Sequence, residues 1–160
     1  MNASAMALSY ASPREPIDWL IPASRQHGVS SEDRLRLWLA RGFWGFGQRT
    51  AGRRRFRKGD WVCFYAGKQA EVLAYARTAG VADVPVSAGE WPESTPPDEV
   101  VYKLPLTDIT WMPAPVRLDA ATRAGLDAFA GKDSRTAWGF FVQTTRRLAK
   151  ADFHRLTGRE

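Results

Sequence analysis

An uninterrupted apolar run near the middle of the chain constrains the fold more than any other feature. Residues 60–66 read DWVCFYA. Such a run is typical of a strand that is buried on both faces at the centre of a sheet. A turn is predicted over 67–69 and a second strand over 71–79, so the two strands should form a hairpin.

Shorter apolar segments on either side of this hairpin predict further strands and a few helices. Four prolines and a glycine between positions 83 and 98 predict an irregular loop. Because strands outnumber helices and neighbouring strands look hairpin-linked, we predict an α+β fold, a small mixed β-barrel that is partly closed and flanked by helices. The further strands are expected over 18–24, 100–109, 111–116 and 139–144, and the helices over 30–42, 118–129 and 149–156.

Length and cysteine content limit the class of protein. At 160 residues the chain is long enough for one domain with its own core, which we place at 14–160 after a flexible tail over 1–13. No apolar segment approaches the ~18 residues of a membrane span, and the N-terminal segment lacks a signal-peptide pattern, so we expect a cytoplasmic protein. The single cysteine, Cys63, excludes an intrachain disulfide and a multi-cysteine zinc site. We predict neither a metal nor a cofactor.

Sequence motifs of catalysis are missing. The chain has no GxSxG, P-loop, GxGxxG or HExxH pattern. Cys63 lies among apolar neighbours and is interpreted as a buried, inert thiol. Asp60 is interpreted as a partner of local backbone groups at the entry of the central strand. We therefore predict no enzymatic activity, and the alternative is a nucleic-acid-processing enzyme that uses a carboxylate such as Asp133 or Asp60.

Positive charge is concentrated in two stretches of the chain. The formal net charge is +6, and the residues between 49 and 58 include six cations and no acid. Further cations follow at Arg146, Arg147 and Lys150, whereas acidic residues collect between 83 and 99. One face should therefore attract phosphates, which suits the forked guanidinium of arginine. The alternative is a solvated surface that only keeps the protein soluble.

Three segments of the chain together carry a resemblance to a known family. Residues 42–67 read GFWGFGQRTAGRRRFRKGDWVCFYAG, in which a loop of tryptophan, phenylalanine and glycine and a basic run lead into an apolar strand. The other two segments are WLIPAS over 19–24 and FFVQTTRRL over 140–148, the latter followed by a short helix. These segments resemble the core signature, the opening strand, and the closing strand and helix of EVE domains, and their order and spacing agree over nearly the whole chain.

The resemblance implies a PUA-like fold, shared with YTH-type readers of modified RNA, and recognition of modified bases in DNA, particularly methylated cytosine. We therefore predict a reader that flips such a base, with 5-methylcytosine favoured, into an aromatic pocket with an arginine-rich rim on the phosphates. Residues 46–48 depart from the Arg-Asn-Tyr-type stretch of longer eukaryotic members, which leaves the identity of the base open. No nuclease signature is present, so any effector activity would belong to a separate nuclease partner. In a prokaryote the protein would be associated with the nucleoid.

The predicted site combines rings, small residues and cations. Trp44 and Phe46 would form the walls of the pocket, and Gly45 would allow a ring to approach the backbone. Trp61 and Tyr65 share one face of the central strand and would either floor the pocket or fill the core. The predicted base-pocket residues are Ser24, Trp44, Gly45, Phe46, Gln48, Trp61, Tyr65 and Trp91, the last as a lid or an exposed ring, and the predicted phosphate contacts are Arg25, Arg49, Arg53, Arg54, Arg55, Arg57, Lys68, Arg146 and Arg147.

Two alternatives keep the composition but change the partner. The first is a protein of the same fold that binds modified or structured RNA. The second is a module for a small molecule or another protein, in which the arginines only confer solubility. Salt dependence separates the second from nucleic-acid binding, because affinity for phosphates falls steeply with salt. The remaining tryptophans are interpreted as core residues, namely Trp19, Trp38, Trp111 and Trp138.

Overall fold

The computed structural model describes residues 14–24, 28–47, 50, 52–90, 101–131 and 141–159. The tail predicted over 1–13 and Trp138 lie outside these residues. None of the helices in the described part of the chain is both long and apolar enough to span a bilayer. The described elements are β1 (Asp18–Ala23), α1 (Ser31–Leu39), β2 (Phe43–Gly47), β3 (Trp61–Ala66), β4 (Glu71–Thr78), β5 (Val84–Pro85), β6 (Val101–Arg117), α2 (Ala120–Ala124), β7 (Arg146–Leu148) and α3 (Lys150–Thr157), with 3₁₀ turns at Arg53–Arg55, Ala88–Glu90 and Asp127–Phe129.

The strands form one sheet with β3 in its interior. The order is β2-β6-β4-β3-β1-β7, and β5 pairs with β6 outside this path. β3 pairs in parallel with β1 and antiparallel with β4, which confirms the central strand and the hairpin. The sheet curls into a half-barrel flanked by helices, so the fold is α+β and agrees with the small PUA-like barrel that was predicted.

The central strand separates two hydrophobic clusters. Because side chains alternate along a strand, Val62 and Phe64 enter the cluster formed with β2 and α1. Cys63 and Tyr65 enter a second cluster, which α3 covers. α3 contributes Phe153 and Leu156 to this second cluster, both fully buried. The curled sheet therefore has an inner face toward β2 and α1 and an outer face toward α3.

Two segments differ from the sequence-based prediction. Residues 42–47 were predicted as a loop, but Phe43–Gly47 is the strand β2, whose backbone pairs with β6 despite its two glycines. The strand predicted over 139–144 is wrong for its described part, since 141–144 contains no strand. The strand comes later, at Arg146–Leu148, where it pairs with the edge of β1. In both places tertiary pairing outweighs local sequence preference.

Two further elements have different bounds from those predicted. The strands over 100–109 and 111–116 are one strand, β6. Its register with β4 shifts twice, by one residue near Asp108, where φ is +52°, and by three residues between Trp111 and Val116. The helix over 118–129 is split. Asp119 caps α2 by accepting a hydrogen bond from the backbone N–H of Thr122, and a 3₁₀ turn at Asp127–Phe129 follows.

Candidate functional site

The basic loop, residues 52–58, is fastened to the body of the protein by Arg53. This side chain is only 7% exposed. Its Nη1 donates to the carbonyl oxygen of Ala82 at 2.7 Å, and its guanidinium lies 3.6 Å from the centre of the Tyr102 ring. The prediction that Arg53 contacts phosphate is therefore wrong for this conformation, because its guanidinium is occupied in the interior. Arg53 acts as an anchor for its neighbours instead.

Asp60 holds the other end of the basic loop. The carboxylate is fully buried and accepts five hydrogen bonds, two from Arg14 and one each from the indole N–H of Trp19 and the backbone N–H groups of Ile17 and Arg57. Burial alone would raise the pKa of Asp60, but the hydrogen bond from Arg14 and the other donors outweigh it and lower this pKa. The interpretation of Asp60 as a partner of local backbone is confirmed for the bond from Arg57, whereas the other four bonds come from the distant residues Arg14, Ile17 and Trp19. Both oxygens are occupied, which leaves no free lone pair for proton transfer to a substrate.

Four cations of the basic loop remain exposed between these two anchors. They are Arg54, Arg55, Arg57 and Lys58. Arg57 donates to two backbone carbonyls, and Arg55 lies 5.2 Å from the ring of Trp19. None of the four forms a salt bridge with a carboxylate of the described residues. The loop is thus a cluster of exposed positive charge that no carboxylate of the described residues neutralises through a salt bridge.

The predicted pocket walls lie in the hydrophobic core. Trp44 is 3% exposed and packs on Phe64, and Phe46 is 4% exposed and stacks on Phe56. Both side chains lie on the same face of the edge strand β2, and both enter the inner cluster. The prediction that both rings face an open pocket is therefore wrong for this conformation.

An aromatic ring packs closely against Gly45, but it is the side chain of Trp38 and not a bound base. A Cβ atom at this position would lie 2.8 Å from Val101 Cγ1 and 2.9 Å from the Trp38 ring. Glycine is therefore required for α1 to pack against β2 through Trp38. Trp38 and Trp19 are buried in the same cluster, which confirms that they are core residues, and the half-buried Trp111 packs against it.

Ser24 and Trp44 are nevertheless brought together by a residue that the sequence did not reveal. Arg34, on α1, donates from Nη1 to the carbonyl oxygen of Ser24 at 2.6 Å. Its guanidinium also lies 5.3 Å from the centre of the Trp44 ring. We call Ser24, Arg34 and Trp44 the Arg34 cluster. Ser24 is exposed and Arg34 is half-buried, so the cluster reaches the surface at the end of β1. Lys68 is also exposed at this end, in the turn after β3.

Trp61 and Tyr65 do not belong to this cluster. They share one face of β3, as predicted, but that face belongs to the outer cluster, on the opposite side of the sheet from Trp44. Tyr65 is 3% exposed and fills the core. Trp61 lines an open cleft together with Arg147. Alternation along β3 therefore splits the aromatic residues that the sequence grouped in one pocket.

The other predicted positions have simpler outcomes. Arg146 is half-buried, and its Nε donates to the carbonyl oxygen of Phe141 at 3.0 Å, a structural contact. Cys63 is fully buried, and burial raises the pKa of its thiol, which confirms the interpretation as inert. No cluster of metal-ligating side chains occurs within the described ranges. The positions outside these ranges are Arg25, Gln48, Arg49, Trp91 and Asp133.

Comparisons with known proteins concern the fold alone. No protein-family model and no curated protein matches the sequence. The NMR structure of Rpa0253 from Rhodopseudomonas palustris is similar, with a TM-score of 0.52, 15% identity and coverage of 89% of this chain and 91% of that chain. The crystal structure of Atu2648 from Agrobacterium tumefaciens is similar with a TM-score of 0.53, 15% identity and the same coverage.

Proposed function

We propose that this protein is a non-enzymatic reader that binds DNA carrying a modified base, with 5-methylcytosine favoured. The observation that carries the proposal is the basic loop, whose exposed cations Arg54, Arg55, Arg57 and Lys58 have no carboxylate partner among the described residues. Such exposed cations suit phosphates. They can bind the DNA backbone and release its counterions without first breaking a salt bridge. The resemblance to EVE domains supports the same class of partner.

The Arg34 cluster is the part of the structure that best suits a base. Guanidinium planes and aromatic rings both stack on bases, at about 1–3 kcal/mol for an aromatic stack. Arg34 already lies over Trp44, so a flipped base that stacks on Arg34 would rest on two planar groups. Ser24, whose backbone carbonyl accepts from Arg34, also carries a hydroxyl that offers a donor and an acceptor to the base edge. A buried methyl group adds only ~0.8 kcal/mol, so discrimination requires a tight fit.

Fluorescence polarisation tests the proposal directly. The full chain is titrated with one duplex with and without 5-methylcytosine, and with matched RNA, each at two salt concentrations. We expect tighter binding to the methylated duplex and a steep fall of all affinities with salt. Equal binding to both duplexes would reject base reading, tighter RNA binding would favour the RNA alternative, and no binding at low salt would reject a nucleic-acid partner.

Two arginines on α1 provide a matched pair of variants. Arg34→Lys keeps the charge but removes the planar contact with Trp44. The preference for methylated DNA, to which a buried methyl group contributes a factor of about 4, should therefore disappear while affinity for plain duplex changes little. Arg36→Lys is the control, since Arg36 pairs with Glu32 and lies over Trp111 instead. If both variants keep the full preference, the base does not bind at the Arg34 cluster.

A further inference from the structure

A second concave site opens at the opposite end of β1 from Ser24. The cleft has a volume of about 760 Å³, which is within the range of small-ligand sites. We call it the Trp61 cleft. Asp18 and Trp61, paired at the start of β1 and β3, lie on one side, and the first turn of α3 lies on the other. Since β1 advances about 3.3 Å per residue, Asp18 lies roughly 20 Å from Ser24. The cleft is therefore separate from the Arg34 cluster.

Trp61 and Arg159 supply a surface for a planar group. The guanidinium of Arg159 lies 3.6 Å from the centre of the Trp61 ring, so the two planes are in contact inside the cleft. Both residues are half-buried. A heteroaromatic base can stack on either plane, and such stacking is tolerant of base identity. Stacking alone therefore indicates a nucleobase without selecting one.

The carboxylate of Asp18 is the group that can distinguish one nucleobase from another. Its carboxylate is half-buried in the cleft and has no hydrogen-bond or salt-bridge partner among the described residues. Burial raises the pKa of Asp18, and electrostatic interaction with His154, Lys150 and Arg159 opposes this shift, although none of the three forms a salt bridge with Asp18. An ionised carboxylate only accepts hydrogen bonds and is stabilised by a ligand with two adjacent N–H donors.

Cations for a phosphate lie on the other wall of the cleft. Arg147 and Lys150 are exposed, and neither has a hydrogen-bond or salt-bridge partner within the described ranges. Lys150 begins α3, whose N-cap residue, Ala149, makes no side-chain capping hydrogen bond. The first backbone N–H groups of α3 thus add donors beside the two cations. Glu15 is the other carboxylate that lines the cleft. Because its negative charge would repel a phosphate, the phosphate is placed beside Arg147 and Lys150.

We propose that the Trp61 cleft binds a guanine nucleotide. Guanine presents N1–H and N2–H side by side, which matches the two oxygens of Asp18, whereas adenine and cytosine present one donor beside an acceptor. The base stacks on Trp61 and Arg159, and the phosphate binds Arg147 and Lys150. A free nucleotide and a nucleotide at the end of a strand share this chemistry. The site does not depend on the reader function proposed above.

Isothermal titration calorimetry of the full chain with guanosine 5′-monophosphate tests the site. We expect saturable binding that is about tenfold tighter than binding of adenosine 5′-monophosphate. Asp18→Asn should remove this preference, and Lys150→Ala should weaken both nucleotides alike. Asp83→Asn and Arg117→Ala each remove one charge of the same sign from an exposed position outside the cleft and should change neither affinity.

Three outcomes overturn the inference. They are the absence of saturable binding at millimolar nucleotide, equal binding of both nucleotides and inorganic phosphate, and an unchanged preference in Asp18→Asn.

Arg34→Lys should leave nucleotide binding intact, and Asp18→Asn should leave the preference for methylated duplex intact, so either proposal can fail alone. A short single strand that ends in guanine separates the two sources: a preference over the same strand ending in adenine that Asp18→Asn removes identifies a strand end, and no such preference identifies the free nucleotide.

Discussion

The basic loop and the Trp61 cleft are both arginine-rich in sequence but differ in what surrounds the cations. In the basic loop, Arg53 and the Asp60 network occupy the interior, and the exposed cations form no salt bridge with a carboxylate of the described residues. In the cleft, Arg147, Lys150 and Arg159 face the carboxylate of Asp18 across an open volume. The first arrangement suits a charged polymer of any sequence, and the second suits a small group with both acceptors and donors.

This difference shows that a charge cluster is not a functional unit by itself. Arg53 and Arg54 are adjacent in the chain, yet one is buried on Tyr102 and the other is exposed. Arg146 and Arg147 differ in the same way, since Arg146 binds a backbone carbonyl and Arg147 lines the cleft. The position of each side chain relative to the sheet decides whether its charge is available.

The largest expected effect comes from Asp60→Ala, which breaks the frame of the basic loop. The variant removes the acceptor for five hydrogen bonds at a fully buried position, so the free energy of unfolding should fall by about 3 kcal/mol. Urea unfolding at pH 7 measures this loss. Asp83→Asn, at an exposed position, should change stability by less than about 0.5 kcal/mol.

The same variant has a defined pH dependence. The pKa of Asp60 is lowered in the folded protein, so its contribution is complete above the ordinary carboxylate pKa of about 3.9 and is lost as the pH falls through the lowered value. Wild type and Asp60→Ala should therefore approach each other in stability below about pH 4. A difference that is constant from pH 7 down to the acid transition would contradict a role through the ionised carboxylate.

An intermediate effect is expected from Arg54→Ala combined with Arg55→Ala, which separates charge-based binding from recognition in the cleft. Loss of two phosphate contacts should reduce the slope of log affinity against log salt by roughly 2 and weaken methylated and plain duplex alike. Guanosine 5′-monophosphate binding should not change. Arg117→Ala removes a cation at the opposite end of β4 from the basic loop and serves as the control. A variant pair with the wild-type salt slope would show that the basic loop does not contact phosphate.

The smallest effect is expected from Ser30→Ala, which loosens the start of the helix that carries Arg34. Ser30 Oγ accepts a hydrogen bond from the backbone N–H of Asp33 at 3.1 Å, and loss of such a cap costs about 1 kcal/mol. Thermal unfolding should show the loss, and Ser30→Asp should restore stability because aspartate caps equally well. Nucleotide binding in the Trp61 cleft should be insensitive to both substitutions.

Local patterns in the sequence predicted the elements whose preferences and environments agree. The central strand and the hairpin that follows it are as expected, since an apolar run acts over a few positions. Partition along β3 was also predictable, because Trp61 and Tyr65 share a face by alternation alone. The sequence does not show on which side of the sheet this face lies. Trp44 and Trp61 were therefore predicted in one pocket, although they lie on opposite sides of the sheet.

The sequence by itself determined that the protein has a buried central hairpin, an excess of arginine and too few cysteines for a multi-cysteine zinc site. The tertiary structure decided which of those arginines and rings are available. The strand β2 forms only because β6, more than 50 residues later, provides its hydrogen-bond partners. Arg34 reaches Trp44 only because α1 packs across that strand against Gly45. Contacts between distant segments depend on how the sheet curls, and no local pattern of residues encodes that geometry.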